Sequence, residues 1–141
     1  MIRVDTVTDL KPLDNLTQFV TRYPQYAARI VRAEVAEAPT LLGELQAYPP
    51  VPQGSKYKRT FKLRDGYKTQ VFIRGTEVLV EVKNTSDRKR HLYVKGRRQT
   101  IRHRQNGWRK DDEIIRTWLP RFRLRLTEAL TTGARSLTNI R

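Results

Sequence analysis

The chain has 141 residues with 29 Lys and Arg against 14 Asp and Glu, giving a formal charge of +15 and a sequence pI near 10.8, and it has no cysteine. The missing thiols exclude disulfide frameworks, Cys-ligated zinc and thiol catalysis. The charge calls for a polyanion or an acidic protein surface as partner, because self-repulsion on this scale destabilises an isolated compact state.

The length suits a single domain, residues 1–141, able to bury about two thirds of its unfolded surface unaided. No apolar run approaches the roughly 18 residues that span a bilayer, and the opening MIRVDTVTDL lacks the continuous apolar core of a signal peptide. A soluble chain without a membrane partner is expected. Ile2, Val4 and Thr6 alternate with polar neighbours, so residues 1–9 read as an N-terminal arm or an edge strand. Asp9 is a candidate N-cap for a short helix carrying Leu13, Leu16, Phe19 and Val20 and ending near Tyr23. From Pro24 onward Ala27, Val31, Val35, Ala38, Leu42 and Leu45 fall on one stripe, the signature of the main amphipathic helix, with Pro39 set to bend or restart it.

Residues 48–66 then change the pattern. Pro49, Pro50 and Pro52 fix φ and withhold backbone donors, which predicts a stiff extended connector rather than a helix or a central strand. The Pro49/Pro52 spacing also matches a Pro-x-x-Pro docking motif, for which a rigid linker is the plainer account. Beyond Gly54, Tyr57, Phe61 and Leu63 share one parity while Lys56, Lys58, Lys62 and Arg64 take the other, so a half-buried strand is expected. Two more strands follow, one with Tyr67, Thr69, Val71 and Ile73 and one over residues 77–84 with Val78, Val80 and Val82. Turn signals at Asp65-Gly66 and Gly75-Thr76 separate them. The predicted fold is therefore α+β: an antiparallel meander packed against a long N-terminal amphipathic helix and a C-terminal helix.

Residues 87–110 hold ten cations and one acid. Few apolar anchors interrupt them, which predicts a projecting basic loop over 87–106, mobile until a neighbour orders it. Arg88, Lys89, Arg90, Lys95, Arg97, Arg98, Arg102 and Arg104 are the candidate contacts to a polyanion or an acidic partner. Tyr93 and Trp108 could stack on bases, although hinge or core packing suits their apolar neighbours better. Asp111, Asp112 and Glu113 open the last helix, where acids favour the macrodipole. Its stripe is Ile115, Trp118, Leu119, Phe122, Leu126 and Leu130, with a kink expected at Pro120, an end at Gly133 and a tail over 134–141.

No catalytic, cofactor or metal residue is assigned. His91 and His103 have no ligand at metal spacing, Ser55 and Lys56 are adjacent on an extended chain and point apart, and Glu34, Glu37 and Glu44 belong to a solvated helix face.

Taken in order, the helix, the Pro-containing segment, the strands, the basic crossover, Gly107-Trp108 and the closing helix resemble the neck and tail-completion proteins of tailed bacteriophages. The features that carry the likeness are Pro49 and Pro50 followed by Thr60 and Leu63, a strand ending in Asn84, then Tyr93 and Gly96, over residues 10–132. One position departs: the family usually has Gly after the Thr, and here Thr60 precedes Phe61. The resemblance implies a structural, non-enzymatic virion protein without cofactors, made and assembled in the host cytoplasm. It implies a homo-oligomeric ring, sixfold or twelvefold, at the head-to-tail junction. Its partners would be neighbouring connector and tail proteins, with non-specific contact to passing DNA. Pro49, Pro50, Pro52, Tyr57, Thr60 and Trp108 are the expected hinge and interface positions. A ring subunit should also strand apolar residues outside its own core, with Phe72, Leu79, Leu137 and Ile140 as candidates. The alternative from another class is a small basic protein that binds nucleic acid without sequence preference.

Overall fold

The computed structural model describes residues 2–9, 14–37, 40–56, 58–75 and 77–138. Strand β1 (Ile2–Asp9) is followed by helices α1 (Asp14–Arg22), α2 (Pro24–Ala36), α3 (Leu41–Gln46) and α4 (Lys62–Asp65). Strands β2 (Tyr67–Arg74) and β3 (Glu77–Asn84) come next, then α5 (Arg88–Val94), α6 (Ile101–Gln105) and α7 (Asp111–Thr138). The fold is α+β, a three-stranded antiparallel sheet of order β1-β3-β2 with helices packed on it.

β2 and β3 form a hairpin in which Tyr67 lies opposite Asn84 and Arg74 opposite Glu77, closed by Gly75 at φ 58°. A residue with a Cβ would be strained at that turn. β1 pairs with the other side of β3, from Ile2 opposite Asn84 to Asp9 opposite Glu77. The N-terminal residues thus make the edge strand that their alternation allowed. Asp9 is the last residue of this strand and not a helix cap, since α1 begins at Asp14. Leu13 lies outside the described residues.

The core forms where one face of the hairpin meets the helices. Val78, Val80 and Val82 are buried against Leu16, Phe19, Val20, Ala27, Val31, Leu41 and Leu45 from α1 to α3, and against Ile114, Trp118, Phe122, Leu126 and Leu130 from α7. The main amphipathic stripe divides into α2 and α3. Thr40 restarts the helix by accepting a hydrogen bond from the Gly43 amide at 2.9 Å. Ala38 and Pro39 fall outside the described residues.

Three further expectations are corrected. The segment before β2 is not a strand. Phe61 takes φ 56°, ψ 9°, and residues 62–65 coil into α4, which buries Leu63. The Tyr48 hydroxyl accepts the Arg64 amide at 3.1 Å, a bond that fixes this turn and breaks the extended path. The sheet is therefore a hairpin flanked by β1 and not a meander of three consecutive strands.

Second, residues 87–106 do not project as a loop; they fold as α5 and α6. Third, α7 continues through Gly133 to Thr138, so residues 134–138 are helix and not tail. Gly133 serves close approach instead of termination. A Cβ there would sit 2.6 Å from Ile30 Cδ1 and 3.3 Å from Tyr26, so the hydrogen lets α7 lie against α2. α7 also runs on past Pro120, whose ring removes one intrahelical donor. Arg125 ties it to α2, donating to the Glu34 carbonyl at 3.2 Å beside the Glu34 carboxylate at 3.7 Å.

Candidate interaction surface

The basic segment folds because its own sequence caps it. Asp87 accepts the Lys89 amide at 2.8 Å and the Arg90 amide at 3.2 Å, which starts α5. These amides, that of Arg90 foremost, hold the Asp87 carboxyl below the usual carboxylate range. Thr100 caps α6 through the His103 amide. Gln99 spans the two helices, donating to the carbonyls of Val94 and Trp108 at 2.8 Å each.

Under this surface lies a polar cluster that anchors it. Asp111, the first residue of α7, accepts the Tyr67 hydroxyl at 2.7 and 2.8 Å on its two oxygens and faces His91 Nε2 at 2.5 Å. Lys95 Nζ lies 3.8 Å from Asp111 Oδ1, donates to the Leu45 carbonyl and sits 5.4 Å from the Tyr67 ring centre. The Asp111 amide in turn donates to the Lys95 carbonyl at 2.9 Å. All four side chains are buried, Lys95 to 1% exposure.

Burial lowers the Lys95 ammonium from its ordinary value, with Asp111 pulling the other way. Burial first and the Asp111 charge second raise the Tyr67 phenol. A buried cation is tolerated when a carboxylate and a carbonyl replace its water shell. Lys95 is therefore withdrawn from the partner-contact set: it is an internal strut that pins α5 to α3 and α7.

The remaining seven candidates, Arg88, Lys89, Arg90, Arg97, Arg98, Arg102 and Arg104, are all exposed. Beside them the hinge packs on itself. Tyr48 stacks with Phe61 at 5.4 Å and meets Trp108 at 4.7 Å. Arg59 lies over both the Tyr48 and Trp108 rings at 5.3 and 5.5 Å, and Arg64 lies over Phe61 at 4.4 Å. His103 meets the Trp108 edge at 6.2 Å, and burial with the Arg102 charge lowers its imidazole below the ordinary value. Pro49 approaches Gly107, where a Cβ would come within 3.3 Å of it and where φ is 84°.

The structure thus brings Pro49 against Gly107 and Tyr48 against Trp108. Pro50, Pro52 and Thr60 are exposed around them, and Tyr57 lies outside the described residues. Sequence reasoning missed Asp111 as the anchor and Arg59 as the cover of the aromatic faces. The i, i+4 spacing of His91 and Lys95 was the available sign of an inward helical face.

Exposed apolar side chains include Ile101 at 75%, Leu124 at 63%, Val51 at 47% and Phe72 at 44%. Leu79 is half-buried, Leu137 packs against the core, and Ile140 lies outside the described residues. Among the described residues no cluster of three or more His, Asp or Glu is placed to hold a metal ion, and no helix is long and apolar enough to cross a membrane. Comparison of the chain with protein-family models, with curated proteins and with solved structures finds no match.

The Asp111 cluster should also show in the dynamics of the segment. The amides of Lys95, Gly96 and Asp111, which close hydrogen bonds to His91 and Lys95 carbonyls, are expected to exchange hydrogen near the rate of global unfolding. The α6 amides, with no buried side chain beneath them, should exchange far faster. Uniformly fast exchange across residues 88–111 would contradict the anchoring role of the cluster.

Proposed function

We propose that the chain is a structural subunit of a tailed-bacteriophage neck or tail-completion assembly, joining copies of itself and neighbouring connector proteins into a ring. One observation carries the proposal beyond the resemblance. The family usually has Gly after the hinge Thr; Phe61 occupies that position here, with left-handed φ 56°. Glycine adopts that backbone without penalty, whereas a bulky side chain bears about 1–2 kcal/mol of strain. The residue after Thr60 thus sits in a backbone region that favours glycine, and here Phe61 is held in it by the Tyr48 stack and the Arg64 cation.

The exposed cations support an assembling role. Arg88, Arg90, Arg97, Arg98, Arg102 and Arg104 stand on a segment fixed to the core, which suits oriented, bidentate pairing with carboxylates of adjacent chains. Ile101 and Leu124 add apolar surface that has no cover within the subunit. Base stacking, which the nucleic-acid alternative needs, is left to Tyr93, which stands exposed on α5 instead of packing in the hinge or core. The Tyr48 and Trp108 faces already carry Arg59.

The test is replacement of Arg97, Arg98, Arg102 and Arg104 by Lys, which keeps the charge and removes bidentate geometry. Particle assembly is expected to fail, with DNA affinity and its salt dependence nearly unchanged. Intact assembly in that variant would overturn the geometric clamp and favour bulk charge acting on DNA.

A further inference from the structure

The sheet has two open edges. Among the described residues β2 pairs only with β3, and so does β1. Along β2 runs a groove of about 520 Å³, lined by Val20, Ala28 and Arg32 on the helical side and by Val71, Phe72 and Ile73 on the strand. A second hollow of about 310 Å³ shares Arg32 and Val71 with it and continues toward Leu42.

Edge strands are usually defended by proline, a bulge or closely spaced charge. The centre of β2, Thr69–Ile73, has no proline and no charged residue, and Phe72 stands exposed there. Main-chain donors and acceptors beside an apolar trough are what an added strand requires.

We propose that this edge receives β1 of a second copy of the chain, in parallel, so that one subunit's sheet continues into the next; the inference rests on the assembling-subunit reading above. Three observations choose the occupant. First, charge: β2 carries Lys68 and Arg74 and no acid, whereas β1 carries Asp5 and Asp9 against one Arg3, and in the row register of the sheet Asp9 falls beside Arg74 while Arg3 falls beside Lys68, so the match lies at the Asp9 end. Second, length: both strands have eight residues, and each is matched to the same eight residues of β3. Third, direction: β1 and β2 are both antiparallel to β3, hence parallel to each other. A copy placed beside the first by rotation about an axis along the strands therefore offers β1 to β2 in the parallel sense. Such a contact joins two different edges, so it is head-to-tail and closes into a ring when the rotation allows. A pairing of β2 with β2 of a twofold mate would be antiparallel and would bring Lys68 of each strand near Arg74 of the other, with no acid on either strand.

The native absence of cysteine allows a direct test. In the β1-β3-β2 register Asp5 and Gln70 lie on the same row, each opposite Glu81, so the next row contact is Gln70 with Asp5 of the neighbour. Full-length Gln70→Cys and full-length Asp5→Cys are mixed at about 1 M salt, where the Debye length of about 3 Å screens subunit repulsion. They are then oxidised, and oligomer size is measured in parallel on the native chain. Thr132→Cys on α7 serves as the exposed control. The expected result is association of the native chain together with a 5–70 disulfide formed at least tenfold faster than 70–132. Association with predominant 70–70 linkage, or with no preference over the control, overturns the strand pairing and leaves a ring built on other surfaces. Failure of the native chain to associate, both in salt and in the particle, overturns the assembling-subunit reading and this pairing with it.

Discussion

Asp111→Ala is expected to remove about 3–5 kcal/mol of stability, the loss typical when one partner of a buried ion pair is deleted. This is a large share of the roughly 5–15 kcal/mol that holds a domain together. The reason lies in what the carboxylate leaves behind. Lys95 is left at 1% exposure without a carboxylate beside it, the Tyr67 hydroxyl loses its acceptor, and His91 Nε2 loses its hydrogen-bond partner.

The pair matters more than either member. Lys95→Met in the Asp111→Ala background should recover part of the loss, because no buried charge then stands uncompensated. Urea denaturation followed by circular dichroism reads both steps. If the double variant is no more stable than Asp111→Ala alone, the buried cation is not the source of the cost.

The same cluster sets the alkaline behaviour, and its two titrating members act in opposite directions. Lys95 is held below its ordinary 10.5. Between its folded value and 10.5 the unfolded chain binds more protons, and stability rises with pH. Tyr67 is held above its ordinary 10.0. Above that pH the folded chain keeps a proton that the unfolded chain has lost, and stability falls. Stability is therefore expected to climb toward about pH 10 and then decline, by up to about 1.4 kcal/mol per pH unit for the tyrosine alone.

Tyr67→Phe should abolish the decline while lowering stability near neutrality by about 1–3 kcal/mol, since Asp111 loses a buried donor. Urea midpoints from pH 7 to 11.5 on the two proteins check this. An unchanged decline in Tyr67→Phe would assign the alkaline loss to other groups.

Periodicity carried most of the architecture. The stripes Ala27, Val31, Leu45 and Ile115, Trp118, Phe122, Leu126, Leu130 are core in the structure, because a helix buries whatever recurs at its period. The alternation in residues 77–84 likewise gave β3. Where the pattern was short, it misled. Tyr57, Phe61 and Leu63 fit a strand by parity alone. The deciding events were a left-handed Phe61 and a hydroxyl supplied by Tyr48, sixteen positions from the Arg64 amide it accepts.

The basic segment was misread for a related reason. Its charge count masked the caps at Asp87 and Thr100, and the i, i+4 spacing to His91 is the one local sign that Lys95 points inward. Its compensation comes from Asp111, which belongs to another element, and from Leu45, fifty residues upstream. Of the candidate surface, the exposure of seven of its cations and the packing of Trp108 at the hinge were legible; the strut beneath them was not.

The position of Asp111 also orders events in time. Each side chain that converges on it, Tyr67, His91 and Lys95, precedes it in the chain, and it opens the closing helix. A growing chain that has not yet delivered residue 111 holds a hairpin and a run of cations with no counter-charge to draw Lys95 inside. Burying that ammonium early would be opposed by its desolvation. The cationic segment therefore consolidates only when the final helix emerges and docks. Until then Lys95 is expected to stay in solvent with the other cations of the segment, and arrival of the last helix is what withdraws it.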